Sequence, residues 1–212
     1  LVAATGRVIQ VLPPARWILS KWWSFSDNRL KQTLLGIDFS NPVGLSAGFD
    51  KNIELTPLME SVGFGFETGG SVTLERRIGN KRPWFFRLPK TESIVVHAGL
   101  ANKGLRFIGD GLKKRRTNNN MPLFISVAVV GKTTDSTHQS AIEDAKQTVL
   151  YVLQHKLAQS VEINISCPNA GDSQPFSRPE LLDQLLTELD GIDRNLPFFV
   201  KMPNLPSLET FD

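Results

Sequence analysis

The sequence predicts an α/β fold built on a parallel sheet. Two observations carry this reading: five short apolar runs of strand length recur along the chain, and stretches of helical period separate them. Composition agrees. At 41% hydrophobic and 21% charged over 212 residues, the chain has the make-up of a globular protein of one domain or one and a half. That excludes a disordered chain, a collagen-like one and a polytopic membrane protein.

Leu1 to Leu12 is mildly apolar but lacks the charged start and small-residue cleavage site of a signal peptide, and because it begins without Met it reads as an internal start. After Pro13-Pro14, a helix is expected to carry Trp17, Trp22 and Trp23 beside Arg16 and Lys21. Two readings fit it: a helix lying in a lipid headgroup interface, or a short helix packing its tryptophans onto the body. No apolar run approaches the ~18 residues of a bilayer span, so no crossing is expected.

The expected strands are Val43 to Ala47, Gly65 to Thr68, Leu123 to Val129, Val161 to Ile165 and Phe198 to Met202. Between the first two, Leu55, Leu58, Met59 and Val62 recur at helical spacing, and Ile142, Ala145, Val149, Val152 and Leu153 do the same before the fourth. Before the fifth, Ser177 and Glu180 read as a capping box ahead of Leu181, Leu182, Leu185, Leu186 and Leu189, with Gly191 placed to end the helix. Residues 72–104 break the alternation as a long connection rich in Arg, Lys and aromatics, the kind that usually carries function. Lys113 to Arg116, followed by Asn118 to Asn120, reads as a solvated loop. Pro203 stops the fifth strand, and the βα pattern looks interrupted at Asp212.

Several chemistries are excluded. A net charge of +3 does not make nucleic acid the expected partner, and one cysteine, Cys167, excludes a disulfide framework or a multi-cysteine zinc site. His97, His138 and His155 have no ligand-like spacing, so no metal is expected. Val130-Gly131-Lys132-Thr133 resembles the end of a phosphate loop, but Ser126 stands where that motif needs glycine. The glycines of 63–70 do not open a helix as a dinucleotide fingerprint would.

Two segments carry a positive signal. Asn41 to Lys51 (NPVGLSAGFDK) is a strand ending in small residues and then a lysine, so a flat ligand can lie against backbone with a cation at the mouth. Asn164-Ile165-Ser166-Cys167-Pro168-Asn169 also follows a strand and brackets a thiol with two amides. Strand C-terminal ends in a parallel α/β fold face one site, so Lys51, Cys167 and Lys201 are expected to converge.

These segments, with FGFETGGSVT from Phe64, GNKRPWFFRLP from Gly79, Gly99 to Gly104 and Val200-Lys201, resemble the dihydroorotate dehydrogenases nearly end to end. The resemblance implies an eight-stranded β/α (TIM) barrel holding flavin mononucleotide (FMN), of which about five strands are counted here. It implies a helical membrane- or quinone-associated segment at 1–30 and a partial catalytic barrel at 31–212. The activity implied is oxidation of dihydroorotate to orotate in pyrimidine biosynthesis, with quinone as electron acceptor. The implied location is peripheral on an inner membrane, with a cytoplasmic protein as the alternative. By position, Ala47, Gly48, Lys51, Gly70, Ser71, Asn164 and Lys201 would contact flavin. Lys51, Gly99, Leu100, Asn164 and Asn169 would contact substrate, and Cys167 would be the base that takes the C5 proton while hydride leaves C6 for flavin. A free thiol can do this when nearby lysines favour the thiolate.

The chain departs from the family in three ways. Serine is the usual base of the quinone class, and cysteine marks the soluble class. Val96 and Val129 stand where the family uses asparagines, each loss worth roughly 1 to 3 kcal/mol if a partner is left unpaired. With five strands rather than eight, weak flavin retention or none is expected, which measuring the flavin content of purified chain tests. A degenerate, non-catalytic barrel relative and an FMN oxidoreductase acting on another pyrimidine remain as alternatives.

Overall fold

A computed structural model describes residues 2–115, 120–131, 135–167 and 175–203. Helices α1 (Val2–Ile9) and α2 (Pro13–Trp23) lead into a hairpin of β1 (Gln32–Leu34) and β2 (Ile37–Phe39). The body then runs β3 (Gly44–Leu45), α3 (Thr56–Ser61), β4 (Phe66–Val72), a second hairpin of β5 (Phe85–Leu88) and β6 (Ser93–Val96), and α4 (Leu105–Arg115). It ends with β7 (Leu123–Ala128), α5 (His138–Gln154), β8 (Ser160–Asn164), α6 (Pro179–Asp190) and β9 (Phe198–Lys201).

The five expected strands pair in parallel in the order β3-β4-β7-β8-β9, so each helical crossover returns the chain to the next place in the sheet. This is a barrel-type β/α sheet, open among the described residues with β3 and β9 at its edges. Its strands show the two-residue alternation of a sheet covered on both faces. On one face Leu123, Ile125, Val127, Val161 and Ile163 pack against Leu105 and Ile108 of α4, Ile142 and Val149 of α5, and Leu185 and Leu189 of α6. On the other face, which is the barrel interior, Phe66 and Phe124 meet Phe39 of β2 and Phe199 stacks on Phe124, with ring centroids 5.4 to 6.1 Å apart. A Cβ on Gly44 would meet the Phe66 ring at 2.1 Å, so glycine there makes room for this layer.

β4 breaks the alternation at one point. Gly69 faces Ile53 and the helix-side core, so strict alternation would turn Ser71 to that side as well. The β4–β7 register shifts between Gly70 and Val72, which turns Ser71 inward and sends Val72 into the helix-side core. A bulge of this kind re-aims a side chain without moving the sheet.

Other expectations change. The Ser177–Glu180 capping box does not form: Arg178 is the N-cap, and Ser177 closes a 3-10 turn with its hydroxyl buried and unbonded. Pro179 at the first helical position starts α6 instead. Gly191 does end the helix, in right-handed geometry, through its N–H to Thr187 O. Lys113 and Lys114 are not loop residues but the end of α4, because Leu105, Ile108 and Leu112 supply an apolar stripe beneath them. The long connection of 72–104 is an ordered hairpin, with Arg77 and Asn102 bridged across its base. In α2 the tryptophans do not pack onto the body: Trp17, Trp22 and Trp23 are 62%, 80% and 64% exposed. The helices are tied down from the other side, by Gln10 Nε2 on Glu54 O at 2.7 Å and Arg16 Nε on Ser61 Oγ at 3.1 Å.

Candidate active site at the strand ends

The chain leaves β3 through Ser46, Ala47 and Gly48 and turns back over the end of β4. Two backbone bonds tie the segments reciprocally, Gly48 N to Gly70 O at 2.8 Å and Gly70 N to Asp50 O at 3.0 Å. Both glycines have positive φ, +110° and +117°, a region where a side chain is strained. Nothing lies within 4 Å of the place a Cβ would occupy on Gly48, so backbone is bared there. Gly70 is the opposite case, because its Cβ would lie 2.7 Å from Ser126 O.

Beside this ledge runs a buried polar chain. Asn164 Nδ2 donates to Ser71 Oγ at 2.6 Å, and Ser71 Oγ lies 2.7 Å from Ser126 Oγ. The Asn164 carbonyl oxygen accepts from Ser166 N and Ser166 Oγ, both at 3.0 Å, so the amide is held from both ends. Lys201 is level with Asn164 across β8 and β9. Half-buried Lys51 sits close enough to Cys167 and Lys201 to feel both charges. Burial chiefly lowers its pKa, repulsion by Lys201 lowers it further, and the thiolate form of Cys167 pulls the other way. The expected convergence of Lys51, Cys167 and Lys201 is therefore present, next to Ala47, Gly48, Gly70, Ser71 and Asn164.

Gly99 and Leu100 belong to the loop after β6, both with positive φ, and Gly99 is pressed against Asn80. Asn169 and Pro168 fall outside the described residues, as do Lys132 and Thr133. Val129 packs its side chain on the helix-side core, while its N–H donates to Asn164 O at 3.0 Å. Val96 is 42% exposed in the hairpin. Neither valine supplies a polar group to the chain of Ser126, Ser71 and Asn164.

Three residues escape the sequence reading. Ser126 is the lone hydroxyl in the apolar run of β7, a signal that alternation could have turned inward. Asp50 and Glu67 form a buried acid pair behind the ledge, Asp50 Oδ2 accepting from Leu55 N at 2.6 Å. Burial first, and the Asp50 charge second, push Glu67 up to about 8. Among the described residues no group of three His, Cys, Asp or Glu is placed to hold a metal ion.

The arrangement fits a flat flavin: bared backbone at Gly48, inward hydroxyl and amide groups, and two lysines to meet electron-rich edges. The family model for dihydroorotate dehydrogenase matches residues 29–212. A dihydroorotate dehydrogenase (quinone) of Haloarcula marismortui is 34% identical over 190 residues, covering 89% of this chain and 52% of that protein. One from Corynebacterium striatum is 31% identical over 202 residues, 95% of this chain and 54% of that protein. The chain thus spans about half the length of these curated relatives. Among solved structures, ligand-free DHODH from Eimeria tenella superposes with a TM-score of 0.74 at 26% identity, over 97% of this chain and 62% of that one. The same organism's DHODH in complex with ferulenol gives 0.70 at 25% identity, over 89% and 57%.

Proposed function

The chain belongs to the dihydroorotate dehydrogenase family, and from that premise we propose that it serves the oxidation of dihydroorotate to orotate in pyrimidine biosynthesis. The observation that carries the proposal is the buried chain of Ser126, Ser71 and Asn164 at the strand ends, flanked by Lys51, Cys167 and Lys201. FMN, when bound, supplies the acceptor for the hydride that leaves C6. Ala47, Gly48, Gly70 and Ser71 would hold its ring, with Lys201 at its electron-accepting edge. Asn164, its amide fixed by Ser71 and Ser166, orients ring and substrate together. Lys51 meets the substrate carboxylate, and Asn169, Gly99 and Leu100 complete the substrate contacts. The Cys167 thiolate takes the C5 proton, and the electrons of that bond become the C5=C6 double bond.

We assign residues 1–30 the role of a peripheral membrane face at which quinone accepts the electrons. The exposed Trp17, Trp22 and Trp23 support this. Among the described residues no helix is long and apolar enough to cross a membrane.

Dihydroorotate-dependent dye reduction tests the reaction. Cys167→Ala is expected to lower the rate by about 10²- to 10⁴-fold, and Cys167→Ser to retain part of it. Val96 and Val129, which add no polar group to the site, favour the second reading, a non-catalytic relative. Flavin-loaded protein giving no rate above background would establish that reading and sink the first.

A further inference from the structure

A cavity of about 530 Å³ opens beside Lys51, between the Asn52 turn and the base of the β5–β6 hairpin. Six cations line it, Lys51, Arg76, Arg77, Lys81, Arg82 and Lys103, and no Asp or Glu does. The whole chain carries a net charge of only +3, so the protein outside this cavity is net negative. Ordinary solvated surface mixes its signs; a concave wall of one sign focuses the potential and concentrates counter-ions.

The wall is braced independently of those charges. Arg77 and Asn102 exchange backbone bonds at 3.0 and 3.1 Å, and Lys103 N is held by Asn52 Oδ1 at 2.9 Å. Trp84 is fixed by its Nε1 on Asn80 O at 2.7 Å and carries the Arg82 guanidinium 4.6 Å over its ring. Lys103 is neutralised by Glu54 at 2.5 Å, and Arg77 donates to Gly131 O at 2.8 Å. Among the described residues Lys51, Arg76, Lys81 and Arg82 have no carboxylate partner.

We propose that this cavity is a binding site for a small polyanion carrying a diphosphate group, separate from the place where the redox substrate reacts. The charge count selects that class. A single carboxylate needs one cation and is served by Lys51, whereas the three others without a carboxylate partner, Arg76, Lys81 and Arg82, match a group with two or more negative charges. Guanidinium forks such as those of Arg76 and Arg82 suit phosphate oxygens in particular. The volume lies within the range of small-molecule sites. Because Lys51 borders both sites, an occupied cavity draws its charge away from the carboxylate substrate, so the polyanion acts as an inhibitor of substrate entry.

Titration calorimetry of the full chain with inorganic pyrophosphate tests the proposal without reading any redox activity, so its failure is distinguishable from failure of the reaction proposed above. Saturable binding is expected, weakened about tenfold in Arg76→Gln and again in Arg76→Gln/Lys81→Gln, and steeply reduced by salt. Lys31→Gln, an exposed charge loss elsewhere, is expected to leave it unchanged. A nucleoside diphosphate run in parallel distinguishes the source: tighter binding adds a ring seated near Trp84, and equal binding assigns recognition to the phosphates alone. No saturable binding, or equal losses in Lys31→Gln and Arg76→Gln, overturns the proposal.

Discussion

Glu67 makes the stability of the protein fall as pH rises, and the size of the effect follows from where the residue sits. Its carboxyl is fully buried on the helix side of β4, and its oxygens, like Thr56 Oγ1, lack a hydrogen bond of good geometry. Burial and the neighbouring Asp50 raise its pKa from 4.5 to about 8. In the unfolded chain the group loses its proton near pH 4.5; in the folded chain it keeps it until about pH 8. Between those values the folded state binds more protons than the unfolded state, so each pH unit costs about 1.4 kcal/mol of stability. From pH 4.5 to 7 the loss is about 3 kcal/mol, a large share of a typical total of about 5–15 kcal/mol. Glu67→Gln keeps the shape and removes the titration. Urea denaturation at pH 5, 6, 7 and 8 at fixed ionic strength is expected to show the variant overtaking wild type progressively, with the slope of wild type missing. Asp50→Asn is expected to remove only the smaller part of the slope, since burial is the larger cause. Parallel pH profiles for wild type and Glu67→Gln would refute the reasoning.

Two further outcomes are expected. Ser126→Ala deprives buried Ser71 of one partner and should cost about 1 to 2 kcal/mol in urea denaturation; a change below about 0.3 kcal/mol would show that the chain of hydroxyl and amide groups is not continuous. Trp22→Ser/Trp23→Ser should lower partition onto anionic lipid vesicles by at least about tenfold while leaving thermal stability unchanged, because both rings are exposed; equal partition, measured by co-sedimentation, would remove the membrane role.

Much of this structure was legible in the sequence because its strands are short apolar runs and its helices carry apolar stripes, so β3, β4, β7, β8 and β9 could be placed to within a few residues. The first hairpin was not. Its turn places Leu35 and Gly36 at positive φ, and leucine there gives none of the Asn-Gly or Asp-Gly signal that marks such turns. α4 was obscured by the lysines and arginine at its end, whose charge suggested solvent while Leu105 and Ile108 beneath them determined the helix. At the site, Lys51, Asn164, Cys167 and Lys201 announced themselves by standing at strand ends. Ser126 and Glu67 did not, because a polar residue inside an apolar run is read from the sheet face it occupies, and the faces are assigned only once the strands are paired.

The one-residue shift in β4 also bears on how this strand tolerates change. Below Gly70 and above it, the inward positions are of opposite parity, so the strand is written in two phases joined at the glycine pair. Flattening the bulge with the sequence unchanged would impose one phase on the whole strand. Ser71 and Val72 would then exchange environments, stranding a hydroxyl in the apolar layer and placing an isopropyl group on the hydroxyls and amide opposite. No sliding of the strand repairs both ends at once, so the inward aim of Ser71 depends on the extra residue at the bulge.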